Sequence, residues 1–394
     1  MINIIDKVQC CGCESCVQAC PHKCISFEVD EKGFGYPMID KEKCKECGLC
    51  EKVCPMLNSF SNVNPRTVQA AINHDANTRY NSSSGGIFSL LAECIINKGG
   101  VVFGARFDES WLVCHDFADN VEDISKFRGS KYVQSKIGST FLKVKEYLNL
   151  EKPVLFSGTP CQAAALRRFL RKEYTNLYIV DVLCHGVPSP LIWNSHLNAI
   201  TEGNVEKIKS ISFRDKTNGW YKYGLTIKSH PTEGKSNNIL YRKDKFNNPF
   251  LKGFMFDCFL RDSCYNCRFK EGRSASDIML ADYWGADIEH PDLFDNKGCS
   301  CVLAYTEKGT QLLNEIDYKY EDSSLEQFIK QNPSFLKQNT IPANRDKFWE
   351  AVKIHGGQYA LIHYSGLNFY ESLRRCVIIL LQKTKLLSLI KKIV

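Results

Sequence analysis

Apolar and polar positions change their spacing several times along this chain. Three short apolar runs have the length of buried strands, at residues 101–107, 154–156 and 177–183. Three amphipathic runs near them have the period of helices, at residues 87–97, 162–171 and 191–200. Strands and helices that alternate in this way predict an α/β domain with a mixed, partly parallel sheet.

Two further segments have the pattern of β-hairpins. Residues 25–39 contain two short runs separated by a turn at residues 31–33. Residues 208–227 repeat this arrangement, with a turn at residues 215–219. A polar stretch with a proline, residues 59–66, separates the first hairpin from the α/β region and is typical of a linker.

The composition is that of an ordinary globular protein except for its cysteines. The chain has 394 residues, a formal net charge of +7 and twenty cysteines. Its lysines and arginines form no dense block and no nucleic-acid motif is present, so we expect no nucleic-acid partner. The N-terminus lacks the pattern of a secretion signal, so we expect a cytoplasmic protein. In that reducing compartment, clustered cysteines indicate metal ligands rather than disulfides.

Eight of the cysteines form a tandem repeat. Both copies have the spacing C-x2-C-x2-C-x3-C-P, in which three cysteines bind one 4Fe–4S cluster and the fourth binds the other. We therefore predict two clusters. Cluster I is bound by Cys10, Cys13, Cys16 and Cys54, and cluster II by Cys20, Cys44, Cys47 and Cys50.

A pair of zinc sites is the alternative interpretation of the repeat. Zinc sites usually contain paired C-x2-C units with longer gaps, whereas both copies here are complete cluster motifs. We therefore favour the clusters. Cys11 and Cys24 fall outside the repeat, and we expect them to lie near the clusters without binding them.

Three loops of the α/β region have the residues of a ligand-binding edge. Residues 82–86, Ser-Ser-Ser-Gly-Gly, precede a predicted helix and are suited to a phosphate group, although an ordinary N-cap with a tight turn is the alternative. The other two loops follow predicted strands: Ser-Gly-Thr-Pro-Cys-Gln at residues 157–162, and Cys-His-Gly at residues 184–186. Ligands of open α/β sheets bind at such carboxyl ends.

Four more cysteines lie in or after these loops. Cys161 and Cys184 belong to two of them, and Cys264 and Cys267 follow as a C-x2-C pair. Together they could bind a third 4Fe–4S cluster. Alternatively, Cys161 and Cys184 are small buried apolar side chains, as free cysteine often is.

Lys131 and His185 are the candidate catalytic residues. Lys131 lies in a polar, aromatic stretch, where its ammonium group could face a flavin ring, a phosphate or only solvent. His185 lies between a candidate ligand cysteine and a glycine. It is a candidate general acid or base, and the alternative is a histidine that shapes the loop and tunes a neighbouring cluster.

The order of these motifs resembles a known family. The motifs are SSSGGIF at residues 82–88, GSKYVQS at 129–135, GTPCQ at 158–162, CHG at 184–186, the late cysteine pair, and DIMLADYWG at 277–285. With the N-terminal module, this ordered set resembles the coenzyme F420 hydrogenase/dehydrogenase β-subunit family over roughly residues 1–305. The last motif contains Asp282 and Trp284, but begins its Ala-Asp-Tyr-Trp-Gly stretch with alanine where the family has glycine.

The resemblance implies a flavoprotein. Family members bind FAD and a further 4Fe–4S cluster, and they oxidise or reduce the deazaflavin coenzyme F420. By position, the resemblance makes Cys161, Cys184, Cys264 and Cys267 the expected ligands of a third cluster, here called cluster III, with Cys258 as a nearby competitor. The expected flavin contacts are Ser83, Ser84, Gly85, Gly86, Lys131, Gly158, Thr159 and Gln162.

The expected function is therefore that of an iron–sulfur flavoprotein oxidoreductase. It would pass electrons between a hydride carrier, coenzyme F420 or a similar coenzyme, and a redox partner protein or ferredoxin, by way of FAD and 4Fe–4S clusters. Two alternatives stay open. One is an electron-transfer module without a substrate of its own, and the other is a reductase that serves the synthesis of cell-surface polysaccharides.

The expected fold class is an α+β ferredoxin-like two-cluster module, followed by an α/β domain with a mixed sheet and a helical C-terminal tail. The module occupies residues 1–60. The flavin-binding oxidoreductase domain is divided into residues 67–150 and residues 151–320, and the second part holds cluster III. The tail occupies residues 321–394.

Basic and apolar residues mix at the end of the tail, residues 373–394. This segment is too charged to span a bilayer, and no other window has the roughly 18 consecutive apolar residues of a span. It could lie on an anionic membrane surface and give the protein a peripheral membrane contact. The alternative is a terminal helix that packs on the body of the protein and has a basic outer face.

Overall fold

The strands and helices predicted from the apolar pattern are present in the computed structural model, which describes residues 2–4, 6–231 and 238–366. The strands are β1 Ile25–Val29, β2 Gly35–Ile39, β3 Thr67–Ile72, β4 Val101–Phe107, β5 Val113–Ala118, β6 Val154–Gly158, β7 Leu177–Val182, β8 Ile208–Asp215, β9 Gly224–Ser229, β10 Ile239–Asp244, β11 Ile278–Asp282, β12 Ser300–Ala304 and β13 Lys319–Asp322. The α-helices are α1 Ser15–Ala19, α2 Leu49–Lys52, α3 Ala76–Asn81, α4 Ile87–Asn97, α5 Thr140–Asn149, α6 Pro160–Leu170, α7 Pro190–Thr201, α8 Pro249–Met255, α9 Ala286–Glu289, α10 Glu307–Asn314, α11 Leu325–Gln331, α12 Arg345–His355 and α13 Gly357–Tyr364. The segment predicted at residues 373–394 lies outside the described residues.

Eight of these strands form one mixed sheet in the order β13-β3-β12-β11-β7-β6-β4-β5. The inner strands β4, β6, β7 and β11 pair in parallel, and their outer neighbours pair antiparallel. Strands from both sides of residue 150 therefore belong to a single sheet. The predicted fold class, with its mixed and partly parallel sheet, is confirmed.

Helices cover both faces of this sheet because the side chains of its central strands alternate between the faces. On β4, Val102 packs with α4 and α10 on one face, and Phe103 packs with α5 and α6 on the other. Both side chains are fully buried. Each such burial stabilises the fold by roughly 1.5–3 kcal/mol. The two helical layers leave the carboxyl ends of β6 and β7 to be covered by loops.

Both predicted hairpins form, but the second is larger than expected. In the first, β1 and β2 pair antiparallel, and Asp30 accepts hydrogen bonds from the turn amides of Lys32 and Phe34. In the second, β8 and β9 pair antiparallel, and β10 adds a third strand. The connection between β8 and β9 is longer than the predicted turn because it contains Trp220. This side chain is fully buried and stacks on Trp284, with the ring centroids 4.7 Å apart.

The N-terminal cysteine module is fixed to the α/β domain at the start of α5. The Glu14 carboxylate accepts hydrogen bonds from the amides of Ile137 and Gly138 at 2.8 and 3.2 Å. The side-chain oxygen of Gln18 accepts one from the amide of Phe141 at 2.9 Å. Ile137 and Gly138 precede α5, whose own N-cap residue makes no side-chain cap, and Phe141 lies in its first turn. Module side chains therefore hold the segment that leads into α5 and supply a partner to an amide of its first turn.

The tail begins with helices, as predicted. Helix α13 packs against α7 and α8, and α12 packs against α13. Phe348 of α12 joins an aromatic cluster that includes Trp193, Phe250 and Phe259. Within the described ranges, no helix has the length and apolar character needed to cross a membrane.

We expect Glu14→Ala to loosen the attachment of the module. The substitution leaves two amides, one of them in a buried residue, without an acceptor, and such a loss costs about 1–3 kcal/mol. Thermal unfolding should shift to lower temperature, and proteolysis in the linker at residues 59–66 should become faster. Glu42→Ala, at an exposed position of the same module, is the matched control. Equal behaviour of the two variants would contradict this role of Glu14.

Candidate functional site

The first three cysteines of the repeat lie together with the last cysteine of its second copy. Burial, and then repulsion from Cys13, Cys10 and Cys54, raises the pKa of the Cys16 thiol well above its usual range. Burial and the nearby Cys13 likewise raise the pKa of Cys54 to about 11. The structure therefore brings together the four side chains predicted for cluster I.

The four cysteines predicted for cluster II also meet. Cys20, Cys44, Cys47 and Cys50 line one small cavity together with Cys24. The sulfur atoms of Cys20 and Cys24 lie 3.3 Å apart, so Cys24 is in contact with this group. Cys47 is exposed, whereas Cys50 is buried. Cluster II would accordingly lie at the surface of the module.

Among the described residues, no three His, Cys, Asp or Glu side chains converge as the ligands of a single metal ion do.

The four cysteines predicted for cluster III line a second, mostly apolar cavity. Cys161 begins α6, Cys184 follows β7, and Cys264 and Cys267 lie in and after a turn of 3-10 helix, Asp262–Asn266. Burial raises the pKa of Cys184 well above its usual range, and repulsion from the other three thiols adds to the effect. One cavity therefore receives cysteines from three separate loops.

Cys161 differs from its three neighbours. A hydrogen bond with Cys11, more than any other cause, lowers the pKa of Cys161 to about 7. The hydroxyl of Thr159 also lies 3.1 Å from the Cys161 sulfur. The N-terminus of α6 adds a partial positive charge that favours the thiolate. Cys11, which is not in the repeat, thus connects the module with this cavity.

Cys258 does not line the cavity of cluster III. It is 1% exposed, and its thiol faces the carbonyl oxygens of Phe256 and Tyr364 at 3.7 and 3.8 Å. Burial raises its pKa to about 12. These surroundings are those of a small buried side chain.

A larger cavity of about 470 Å³, here called the cofactor cavity, lies at the carboxyl edge of the sheet, next to the cysteines. This volume is typical of a cofactor site. It is lined by the serine–glycine loop, by the residue 129–133 stretch, and by an aromatic group of Tyr132, Tyr223, Phe254 and Trp284. The N-terminus of α4 faces it through Ile87 and Phe88, and this end of the helix has no side-chain cap. Uncapped helix amides are suited to an anionic group such as a diphosphate.

Most of the predicted flavin contacts line this cavity, but several of their polar atoms bind other protein atoms. The Ser84 hydroxyl donates to the carbonyl of Cys299, and the Gly85 amide donates to the Ser300 hydroxyl. The side-chain oxygen of Gln162 accepts from the Thr159 amide at 2.9 Å. Gly85 has no room for a side chain, because a Cβ there would lie 2.3 Å from the carbonyl oxygen of Ala71. Gly85 itself is not among the lining residues, whereas Ser83, Ser84, Gly86, Gly158, Thr159 and Gln162 are.

Ser83 joins two of the loops around the cavity. Its hydroxyl accepts a hydrogen bond from the Ser130 amide at 2.6 Å and lies 2.8 Å from the Ser130 hydroxyl. The serine–glycine loop is thereby held against the residue 129–133 stretch.

Lys131 lines the cavity, and its ammonium group binds the turn that precedes it. Its Nζ donates to the carbonyl oxygens of Phe127, Arg128 and Gly129 at 3.4, 3.0 and 3.2 Å. Burial lowers the pKa of Lys131 to about 7. Three carbonyl oxygens around the ammonium favour its charged form. This geometry gives Lys131 a role in shaping the loop.

His185 lines both the cofactor cavity and the cluster III cavity. Its Nε2 lies 2.6 Å from a carboxylate oxygen of Asp257, and its ring packs edge-on against Phe254. Asn339 donates a hydrogen bond to its carbonyl oxygen. An imidazole with a carboxylate partner is held in one orientation, as an acid–base group requires.

Two polar groups of the cavity were not predicted from the sequence. His115, on β5, lies between the carbonyl of Ser157 at 3.0 Å and the Ser135 hydroxyl at 2.9 Å, and burial lowers its pKa to about 4. Arg214, on β8, forms a two-bond ion pair with Asp282 at 2.7 and 3.0 Å. Asp282 belongs to the family motif at residues 277–285 and so could be noted from the sequence, but His115 and Arg214 lie in no such motif.

A single short segment separates the two cavities. Residues 184–187 line both of them, so a molecule in the larger cavity and a cluster in the smaller one would be separated by one layer of chain. Cys11, a residue of the module, also lines the cluster III cavity. The cluster III cavity therefore adjoins both the cofactor cavity and the module.

Comparison with known proteins found two matching families and a similar solved structure. Residues 151–325 match the family of C-terminal regions of the coenzyme F420 hydrogenase/dehydrogenase beta subunit, and residues 9–57 match the 4Fe-4S dicluster domain. Among solved structures, the chain is similar to a chain from the xenon-derivatised F420-reducing NiFe hydrogenase complex of Methanosarcina barkeri. The sequence identity is 17%, covering 74% of this chain and 94% of that chain, with a TM-score of 0.48. No curated protein matches the chain.

The fold and the two matched segments define the class of protein as an iron–sulfur oxidoreductase with an N-terminal 4Fe–4S domain. Over residues 151–325 it is related to the beta subunit of coenzyme F420 hydrogenase/dehydrogenase. The resemblance stated from the ordered motifs is confirmed.

We expect Cys264→Ser to remove one cluster and leave the other two. Iron in the anaerobically purified protein should fall from about twelve to about eight atoms per chain, because each 4Fe–4S cluster holds four. Cys258→Ser, a few residues away, should keep about twelve. Iron analysis and the cluster absorption measure the difference. An unchanged iron content in Cys264→Ser, or an equal loss in Cys258→Ser, would rule out the ligand set proposed for cluster III.

Proposed function

We propose that this protein passes electrons between a hydride-carrying coenzyme and a redox partner protein, through bound FAD, cluster III and the two clusters of the module. The observation that carries the proposal is the wall of residues 184–187, which the cofactor cavity shares with the cluster III cavity. FAD, when bound, supplies the conversion between two-electron hydride chemistry and the one-electron chemistry of clusters. The hydride carrier is coenzyme F420 or a coenzyme of similar chemistry.

The residues around the cofactor cavity fit FAD in three respects. The volume of about 470 Å³ suits a cofactor of this kind. The uncapped N-terminus of the eleven-residue helix α4 offers backbone amides to the diphosphate. The aromatic group of Tyr132, Tyr223, Phe254 and Trp284 offers flat apolar surfaces to a ring system.

His185 is the residue to which we assign proton transfer at the cavity. It is part of the shared wall, and Asp257 holds its ring. Hydride chemistry at a flavin involves a proton, so a fixed imidazole at this position is suited to donate or accept it. Lys131 donates to the carbonyl oxygens of residues 127–129 and so holds the residue 129–133 stretch in place.

The redox partner would meet the module on the side of cluster II. Cys47 is the exposed member of that cysteine group, whereas Cys13, Cys16 and Cys54 of cluster I are buried. An exposed cluster exchanges electrons with another protein more readily because the distance between centres is shorter.

Ser83→Ala should weaken flavin binding without unfolding the protein. The substitution removes the hydrogen bond to the Ser130 amide, which is worth about 0.5–1.5 kcal/mol. Titration of the apoprotein with FAD should show a dissociation constant higher by roughly two- to tenfold. Ser139→Ala, at the N-cap of α5 where the hydroxyl makes no cap bond, should bind FAD as the unchanged protein does. If Ser83→Ala binds FAD equally well, the cavity is not the flavin site.

A screen of hydride donors tests the function itself. The full chain is purified without oxygen, and reduced F420, NADH and NADPH are each tested for steady-state reduction of a dye. Visible absorption should show bound flavin, and at least one donor should give turnover. Turnover should fall in His185→Ala while the flavin absorption stays.

Two other outcomes of this screen have defined meanings. A protein with clusters but no affinity for flavin refutes the proposal. Bound cofactors that exchange electrons rapidly with reduced ferredoxin, but give no turnover with any hydride donor, identify an electron-transfer module without its own substrate.

A further inference from the structure

Arg261 occupies the junction between the cysteine module and the cluster III loops. Its side chain is 0% exposed. The guanidinium donates three hydrogen bonds: to the carbonyl of Cys10 at 2.7 Å, to the carbonyl of Gly35 at 2.8 Å and to the side-chain oxygen of Gln134 at 3.1 Å. Two of these acceptors belong to the module and the third to the α/β domain. One buried side chain therefore binds both parts of the protein.

The backbone of Arg261 holds the other side of the same junction. Its amide donates to the carbonyl of Val187, and its carbonyl accepts from the amide of Cys264. The Val187 amide in turn donates to the Cys264 sulfur at 3.4 Å. Arg261 is thus linked through its side chain to Cys10, a predicted ligand of cluster I, and through its backbone to Cys264, a predicted ligand of cluster III.

The charge of Arg261 has no carboxylate partner in the ion pairs of the described residues. The adjacent carboxylate, Asp262, pairs instead with Arg345 and with Lys32. The guanidinium packs over the ring of Tyr36 at 4.3 Å from its centroid. A fixed cation buried without a carboxylate is expensive unless other groups compensate it. Here the carbonyl oxygens of Cys10 and Gly35 and the face of the Tyr36 ring do so.

The module chain is shaped to approach this guanidinium. Gly12 lies between Cys11 and the cluster I ligand Cys13, and its φ is +71°. A Cβ at Gly12 would lie 2.7 Å from Nη1 of Arg261 and 2.8 Å from Cζ. The backbone can therefore contact the guanidinium only if this position has no side chain.

We propose that Arg261 is a positioning residue that holds cluster I against cluster III and makes this pair the route by which electrons pass between the α/β domain and the module. With the clusters bound, its buried charge would stabilise their reduced, more negative form. One electron would leave cluster III for each electron that enters cluster I, with no bond broken and no proton carried. Cluster II, bound by the exposed end of the module, follows as the outer centre. The proposal rests on the cluster assignments of the proposed function.

The test is a potentiometric titration of full-length protein, with the clusters followed by electron paramagnetic resonance. The Cys47→Ser background removes one ligand of cluster II, so that cluster I gives the remaining module signal. In that background, Arg261→Gln should lower the ratio of reduced to oxidised cluster I about tenfold at a fixed potential, which is a shift of 59 mV for a one-electron couple. The sign follows from the loss of a positive charge.

Three further variants separate charge from position. Arg261→Lys keeps the cation but places all its donors on one nitrogen, which cannot reach the three acceptors that the three guanidinium nitrogens bind. The potential should therefore change less, while proteolysis of the linker becomes faster. Arg79→Gln removes another buried guanidinium, one that is paired with Asp295, and should leave the potential of cluster I unchanged. Gly12→Ala, which displaces the guanidinium without removing it, serves if Arg261→Gln does not fold.

The outcomes are distinct from those that test the proposed function. The titration of cluster I needs neither flavin nor a hydride donor. Its result can therefore be interpreted even if the protein binds no flavin or gives no turnover with any donor. An unchanged cluster I potential in Arg261→Gln, or an equal shift in Arg79→Gln, overturns the proposal. Where Arg261→Gln does not fold, an unchanged potential together with unchanged proteolysis in Gly12→Ala also overturns it.

Discussion

The parallel pairing of β6 with β7 is the constraint on which the site depends. The register places Phe156 opposite Ile179 and Gly158 opposite Asp181, so both strands end at the same edge of the sheet. The loop after each strand then carries one cysteine, Cys161 or Cys184, to the same cavity. A slip of the register by one residue would turn the side chains of one strand to the opposite face and separate the two loops. Apolar layers on both faces prevent that slip.

Burial explains why the cysteine groups need a cationic partner. Burial and repulsion from neighbouring thiols raise the pKa values of Cys16, in the module, and of Cys184, in the cavity after β7. Iron in the proposed clusters would remove this conflict, because a positive metal core binds the thiolates and releases their protons. Arg261 contributes a smaller positive charge at the junction of two such groups. The energy of folding and the energy of cluster binding are therefore coupled in this part of the chain.

Much of this architecture could be predicted from the sequence, since it depends on local spacing. The apolar runs that became β4, β6 and β7 are short and bounded, and the cysteine repeat is complete. The longer β8–β9 connection was missed because its anchor, Trp220, is buried against a residue 64 positions later. His115, Arg214 and Arg261 were missed for a similar reason. Their partners come from distant strands and loops, so no local sequence motif predicts these contacts.

The hydrogen bonds that Glu14 and Gln18 accept from amides at and just before the start of α5 join residues more than 120 positions apart. During synthesis the N-terminal module emerges from the ribosome long before α5 does, and domains generally fold as units in that order. A completed module would then present the acceptors on which the first turn of α5 can form. A module that lacks iron and does not fold would leave the amides of Ile137, Gly138 and Phe141 without these acceptors. Iron supply would in this way limit the yield of folded protein as well as its loading with cofactors.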